Sequence, residues 1–396
     1  MAGEPLTALI GAYEPGPAGL RALMPIAGMT LVEQQARRAS TAGATHILLL
    51  VEEVSPDLVA AVGRLRSDGL TVGMAEGIDV AADALAEQQV LVIADGCLPE
   101  PRVLRDLAAL PVPAVTTLAD IADHERYERI DANARWGGVA LVDGHRVAET
   151  ATILGSWDPI STLLRRAVQE GAIRLAVDEA APLLLVDSAS VSSAEAAIVA
   201  AARLPAGDWI SRFVFAPIEE LVLPFLLARR INAIWPTLAA AGLAMFGGGM
   251  AWAGWRWLTL VCLLLAGPIA AGASRLARVQ ARTIPFERGF AAARLIGAAL
   301  GASGLATGLA MASGQWGWWL VAAIVLIMMT ALEAVCRLSE RGRSLWLASA
   351  DASVWTILPF AIAGWWGAGL AALAVYASLS FAWELGWMVR EKMKIG

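Results

Sequence analysis

The stretch Arg21–Val51, RALMPIAGMTLVEQQARRASTAGATHILLLV, decides the fold of the first half of the chain. Leu31–Ala42 reads as a helix, and His46–Val51, almost wholly apolar, reads as a strand. Working outward, Thr7–Ala12, Thr71–Met74, Val90–Ala94 and Ala114–Leu118 read as further strands. Helical stretches at Pro56–Leu65, Val80–Glu87 and Pro101–Leu110 separate them. Apolar strands that alternate with helices imply an α/β domain with a Rossmann-like parallel sheet covered on both faces. Ligands bind such a sheet at the carboxyl ends of its strands. That rule points to the loop after the first strand, Tyr13–Met24, and to Asp95, just past an apolar strand.

The second half differs in composition. Across the whole chain 58% of residues are hydrophobic and 17% charged, with a mean hydropathy of +0.61, beyond the usual range of soluble globular chains. The excess is local, because Leu221–Phe286 contains neither Asp nor Glu. Six apolar stretches follow: Ala233–Gly254, Trp257–Ser274, Gly289–Ala312, Trp316–Cys336, Leu345–Trp366 and Gly367–Val389. Each approaches the ~20 residues needed to cross ~30 Å of hydrocarbon, which predicts an all-α bundle of six transmembrane helices. Pro268 predicts a kink in the second.

Charge placement predicts the orientation. Arg275, Arg278, Arg282 and Arg288 lie between spans 2 and 3, and Arg337, Arg341 and Arg343 between spans 4 and 5. Arg390, Lys392 and Lys394 follow span 6, whereas the opposite links hold only Arg256. Positive residues stay cytoplasmic, so an even number of spans puts both termini there, in a bacterial-type inner membrane. The expectation of no signal peptide agrees, since Met1–Thr7 has Glu4 and no basic run. Trp252, Trp255, Trp257, Trp316, Trp318, Trp319, Trp365 and Trp366 cluster at the opposite face as an aromatic belt. Before the first span, GDWISRFVFAPIEELVLPFLLARR (Gly207–Arg230) alternates apolar and charged residues and reads as an interfacial amphipathic helix.

Inside the spans, Gly247–Gly249 and the series Gly297, Gly301, Gly304 and Gly308 allow close helix approach, either for plain packing or around a substrate cavity. Crossing to a second copy through such glycines predicts a homodimer. Glu333, Asp351 and Glu384 sit within or near the ends of spans 4 to 6, where an acid pairs locally or faces a polar cavity; Arg337 is a helical partner for Glu333. Cys97, Cys262 and Cys336 fit neither a disulfide framework nor a Cys-x-x-Cys site, and His46, His124 and His145 form no spaced cluster. The net charge of −6 argues against nucleic acid as a partner.

The Arg21–Val51 stretch resembles the sugar-phosphate and MobA-like nucleotidyltransferases, whose pattern there is a Lys, apolar residues, Pro, a Gly, then a helix and a strand. Arg21 falls at the phosphate-contacting Lys, Asp95 in VLVIADGCLP at a metal-binding Asp, and Asp187 in LLLVDSASVSSAEAA at the late metal-binding acid. The resemblance implies Mg²⁺ on Asp95 and Asp187, and CTP or another nucleotide, with Gly16, Gly19 and Arg278 as further contacts. Read from the residues alone, Asp95 and Asp187 are equally turn acids and Arg21 a surface charge.

The order of the parts resembles fusions of an inositol-phosphate cytidylyltransferase with a CDP-alcohol phosphotransferase. It implies a cytoplasmic domain over 1–205, an interfacial helix over 206–230 and a membrane domain over 231–396. It also implies membrane lipids and a CDP-alcohol as ligands and a place in phospholipid or polar-alcohol metabolism. The membrane signature of that family, D-x-x-D-G-x-x-A-R followed by G-x-x-x-D-x-x-x-D, holds two divalent ions on four Asp. Here GPIAAGASRLARVQARTIPFERGFAAARLIG keeps Ala277, Arg278 and Gly289, but Ala270 and Ala273 stand at the first two Asp positions and Glu287 is the lone acid. One carboxylate cannot build a two-metal site, so the membrane half is predicted not to catalyse metal-dependent transfer. The soluble loop IGAYEPGPAGLRAL departs as well: Pro15 and Pro17 remove backbone donors, and Glu14 would repel phosphate. Three readings stay open: a degenerate fusion that binds a ligand or scaffolds an active partner, a residual cytidylyltransferase, and a transporter.

Overall fold

The computed structural model describes residues 5–17, 19–153, 157–178, 183–203, 207–338 and 344–395, with the backbone alone for 337, 338 and 391–395. The chain divides into two compact units, one of residues 1–202 with 279–282 and one of 203–278 with 283–396. The sequence boundary at 205/206 lies outside the described residues, as do Met1–Glu4, Arg341 and Arg343.

In the first unit seven strands form one sheet: β1 (Leu6–Gly11), β2 (His46–Val51), β3 (Val72–Glu76), β4 (Gln89–Ile93), β5 (Ala114–Ala119), β6 (Ala134–Asp143) and β7 (Ile173–Ala176). Their order across the sheet is β7-β5-β6-β4-β1-β2-β3. β1 pairs in parallel with both β2 and β4. The wholly parallel sheet read from the sequence is corrected by β6, which runs antiparallel to both β4 and β5. Gly137 and Gly138 lie within the register shift of β6 between Trp136 and Ala140 and break its apolar run, which hides it as a strand. Gly138 has φ +85°, and a Cβ there would fall 2.5 Å from Cys97 Sγ.

Helices cover both faces of this sheet. On one side α1 (Leu31–Thr41), α2 (Pro56–Ser67) and α4 (Pro101–Ala108) bury Ala36, Leu58, Leu65 and Leu104 against Ala8, Ile10 and Leu49. On the other, α3 (Ile78–Leu85), α5 (Gly144–Ile153) and α6 (Pro159–Gln169) pack Leu85, Val147 and Leu163 against Leu9, Leu50 and Val92. Neighbouring strand residues thus serve opposite cores, as a period of two requires. Each fully buried Leu or Ile contributes roughly 1.5–3 kcal/mol. Caps fix the helix starts: Thr30 and Glu33 form a capping box on α1, and Ser55 and Asp158 cap α2 and α6 ahead of Pro56 and Pro159. The unit closes with α7 (Ser188–Ala201).

The second unit is helical: α8 (Ala216–Ala228), α9 (Ile234–Trp252), α10 (Arg256–Val279), α11 (Glu287–Ser313), α12 (Gly317–Leu338), α13 (Ala350–Ile362) and α14 (Trp366–Ile395). Among the described residues five helices, α9 to α12 and α14, are long and apolar enough to cross a membrane. The fifth expected span, Leu345–Trp366, differs: its helix has 13 residues, about 20 Å at 1.5 Å per residue. Ser349 starts it by accepting a hydrogen bond from the Ala352 N–H, and Gly364, at φ +77°, follows its end. Pro268 sits inside the unbroken α10. The tryptophans meet in space, with Trp252 5.9 Å from Trp319 and Trp257 5.2 Å from Trp366 between ring centroids.

The glycine series packs α11 on α9. A Cβ on Gly297 would fall on the Ala244 carbonyl, one on Gly248 on the Gly297 carbonyl, and one on Gly304 2.6 Å from Ala251 Cβ. The glycine face expected to carry a homodimer is thus occupied within the chain at these positions. The pre-membrane segment is a π-turn over Ser211–Phe215 continued by α8. It exposes Phe213, Leu221 and Phe225 and buries Phe215, Leu223 and Leu227. Asp208 starts it by accepting from the Ser211 N–H at 2.7 Å, and its other oxygen bonds Ser349 Oγ.

Candidate functional site

Strand order reverses at β1, whose chain continues to β2 on one side while β4 lies on the other. The crevice past the carboxyl ends of β1 and β4 is the place where such sheets bind ligands. Three segments meet there: residues 12–17 and 19–24 after β1, the turn 94–99 after β4, and residues 183–187. Leu98 N–H donates to the Leu183 carbonyl at 2.6 Å and Leu185 N–H to the Gly96 carbonyl at 2.8 Å, so Asp187 lies two residues beyond the backbone that flanks Asp95. The structure therefore gathers Arg21, Gly16, Asp95 and the Asp187 segment around one turn. A Cβ on Gly96 would fall 2.5 Å from Arg21 Cδ, and one on Gly16 2.9 Å from Arg21 Cα. Gly19, at φ +122°, faces open space.

The hydrogen bonds decide what this turn can do. Asp95 is 3% exposed, and its Oδ2 accepts from the Tyr13 N–H at 2.8 Å and the Glu14 N–H at 2.7 Å. Both amides belong to the loop after β1. The Glu14 carboxylate meets Arg21 Nη1 at 2.5 Å, and the Arg21 N–H donates to the Glu14 carbonyl at 2.9 Å. Tyr13 Oη donates to Asp158 at 2.6 Å, and burial followed by Asp158 raises its pKa. The loop's donors and its cation are thus held by the protein's own carboxylates. Asp95 Oδ1 and Arg21 Nε are buried and make no hydrogen bond among the described residues. Burial pushes the Asp95 carboxyl up to about 6, against the pull of the two amides and Arg21. Asp187 is exposed and caps α7 through the Ser190 N–H at 2.7 Å, and that bond first, then the Ser190 hydroxyl, lowers its pKa.

Sequence reasoning missed the side chains that hold the turn. Gln35, fully buried on α1, donates to the Ala94 and Cys97 carbonyls at 3.2 and 2.6 Å. Arg38, one turn on, donates to the Pro99 carbonyl at 3.0 Å, and burial lowers its pKa to about 10. Burial likewise pushes the Cys97 thiol up to about 12, which makes it an inert packing group. The signal was present in VEQQARR, where polar residues fill every face of a helix that lies between two apolar strands.

In the helical unit Ala270 and Ala273, which the resemblance aligns with two Asp, are buried on α10. Arg275, 2% exposed, pairs with Glu219 of α8 at 3.5 Å. Arg278 is on the last turn of α10. Asp351, an acid near the start of an apolar helix, accepts from Arg294 Nη2 on both oxygens at 2.7 and 2.9 Å. The Arg337 side chain, expected to pair with Glu333, lies outside the described residues, as do those of Lys392 and Lys394. Among the described residues no three of His, Cys, Asp and Glu gather to hold a metal ion.

No family model matches the chain, and no curated protein matches it in sequence. Its first half is similar in structure to CMP:2-keto-3-deoxy-manno-octonic acid synthetase solved in complex with CTP, at 16% identity and a TM-score of 0.38, over 50% of this chain and 99% of that one.

Proposed function

We propose that the chain is a multi-pass membrane protein of nucleotidyltransferase and CDP-alcohol phosphotransferase descent in which neither half transfers a phosphoryl group, and which acts as a ligand-binding or scaffolding member of phospholipid or polar-alcohol metabolism. One observation carries this reading: Asp95 takes the Tyr13 and Glu14 amides while Glu14 takes Arg21. A triphosphate would have to displace two carboxylates and the charge-assisted bonds they make, each worth roughly 1.5–3 kcal/mol. The helical unit supports it from the other side, since its signature offers no Asp to neutralise a pyrophosphate. The membrane is proposed to be a bacterial inner membrane with both termini cytoplasmic. That arrangement requires α13 and its flanks to make the sixth, short crossing, and the arginines before α13 and the basic residues Arg390, Lys392 and Lys394 at the end of α14 favour it.

The test is turnover. Purified full-length protein in lipid nanodiscs is given CTP, Mg²⁺ and a panel of polyol and sugar phosphates, and separately a CDP-alcohol with phosphoalcohol and lipid-alcohol acceptors. The expected result is no pyrophosphate and no CMP above a protein-free control; release of either overturns the reading.

A second reading rests on the unpartnered Asp95 Oδ1 and on the pairing that carries Asp187 alongside. Mg²⁺ is commonly held by one or two carboxylates and substrate phosphates, and it would supply charge neutralisation for cytidylyl transfer. In that case Glu14 swings off Arg21, Gly16 and Gly19 give the loop room to open, and Arg21 contacts phosphate. Pyrophosphate release that is lost in Asp95→Asn would select it.

A further inference from the structure

A cavity of about 940 Å³ lies among α9 to α14. It runs from Leu305 to Leu295 along α11, about 15 Å of helix. Its wall is overwhelmingly apolar, with Arg256 and Thr259 among its few polar groups on α10, and Glu333, Ser349 and Ser353 on α12 and α13. A smaller cavity of about 180 Å³ shares Leu263, Leu295, Ala298, Ala350 and Val354 with it, and adds Arg294 and Asp351 to the wall. The two therefore adjoin at these five side chains: a long apolar chamber with a charged annex beside it.

The charges in the annex are not balanced in hydrogen-bonding capacity. Both Asp351 oxygens are taken by a single nitrogen, Arg294 Nη2. Asp351 is also held in place, since a Cβ on Gly267 would come within 2.9 Å of its Oδ1. A guanidinium has five N–H donors, and Arg294 Nε and Nη1 make no hydrogen bond among the described residues. Free donors on a planar fork suit a carboxylate or phosphate, which they bind with two parallel bonds. An ionisable pair within apolar helices is costly and points to function.

We infer that the helical unit binds one single-chain amphiphile with an anionic head, the hydrocarbon chain in the chamber and the carboxylate or phosphate on Arg294. The chamber's volume is within the ~300–1,000 Å³ of small-molecule sites, enough for one such molecule. The inference goes beyond the proposed function and holds whether or not the soluble unit turns over nucleotide.

The test is native mass spectrometry of the delipidated full chain in nonionic detergent, with oleate, lysophosphatidate, lysophosphatidylcholine or inorganic phosphate added. One equivalent of oleate or lysophosphatidate is expected to be retained, with lysophosphatidylcholine at least tenfold weaker and phosphate alone not retained. Retention of oleate only identifies a carboxylate head and of lysophosphatidate only a phosphate head; either supports the site. The double change Arg294→Gln/Asp351→Asn, which leaves no unpaired charge, should weaken anionic retention at least tenfold and leave lysophosphatidylcholine unaffected. Ala302→Phe, which narrows the chamber and keeps the ion pair, should weaken every chain-bearing probe. Equal retention of lysophosphatidylcholine and lysophosphatidate, retention of phosphate alone, or unchanged binding in both variants, each with an unaltered melting curve, would overturn the inference.

Discussion

Asp95 and Arg294 are both ionisable groups set among apolar neighbours, and they are held in different ways. In the first unit Asp95 is engaged by the Tyr13 and Glu14 amides. In the helical unit Arg294, a cation with open donors, stands beside an apolar chamber. Among the described residues Asp95 keeps one unpartnered oxygen, Oδ1, while its other oxygen is fixed by two backbone amides. Arg294 keeps Nε and Nη1 open and is fixed through Nη2 alone, so more of its hydrogen-bonding capacity is left for a ligand.

The comparison breaks first if the frame around the chamber is not as tight as its glycines require. Gly297→Leu drives a side chain into the α9 backbone at Ala244, and overpacking of this kind costs about 3 kcal/mol or more. It should lower the midpoint of thermal unfolding of the detergent-solubilised chain by many degrees, while Gly249→Leu, with nothing within 4 Å, should leave it unchanged. Equal effects would remove the packing account.

A smaller effect sharpens the soluble side. The Asp95 carboxyl titrates at about 6 in the folded chain, above its ordinary 3.8. The folded state then binds more protons than the unfolded state between about pH 4 and 6, so this group's contribution is present below pH 4 and is lost as pH rises through 6. The difference in stability between wild type and Asp95→Asn should therefore move against wild type by on the order of 2 kcal/mol from pH 4 to pH 7. A pH-independent difference would mean that Asp95 keeps its ordinary pKa in the folded chain. Smaller again, Ser349→Ala removes the cap of α13 and its bond to Asp208, for an expected loss of about 1 kcal/mol by chemical unfolding. No loss would detach Asp208 from the start of that helix.

Much of the fold was legible because burial on two faces writes itself as apolar runs. His46–Val51 matches its strand at both ends, and Ala114–Leu118 falls one residue short. β6 was not legible, since its glycines accommodate Cys97 from another segment, a need visible only in three dimensions. The Leu345–Trp366 span was read too long because hydropathy ignores caps, and Ser349 begins the helix four residues in. At the site, Asp95 could be singled out as an acid past a strand, whereas its engagement by the Tyr13 and Glu14 amides depends on a loop 82 residues away folding onto it. Arg294 was passed over because charges in that half were read for orientation at helix ends, and its meaning depends on Asp351, 57 residues on.

The most direct test of the closed loop is calorimetric titration of Mg²⁺–CTP into the full-length protein and its Glu14→Ala form at pH 7. Wild type should give no binding heat at millimolar nucleotide, and the variant, with Arg21 released, should bind at least about tenfold more tightly, the equivalent of ~1.4 kcal/mol. Micromolar binding by wild type, unchanged by the substitution, would contradict the account.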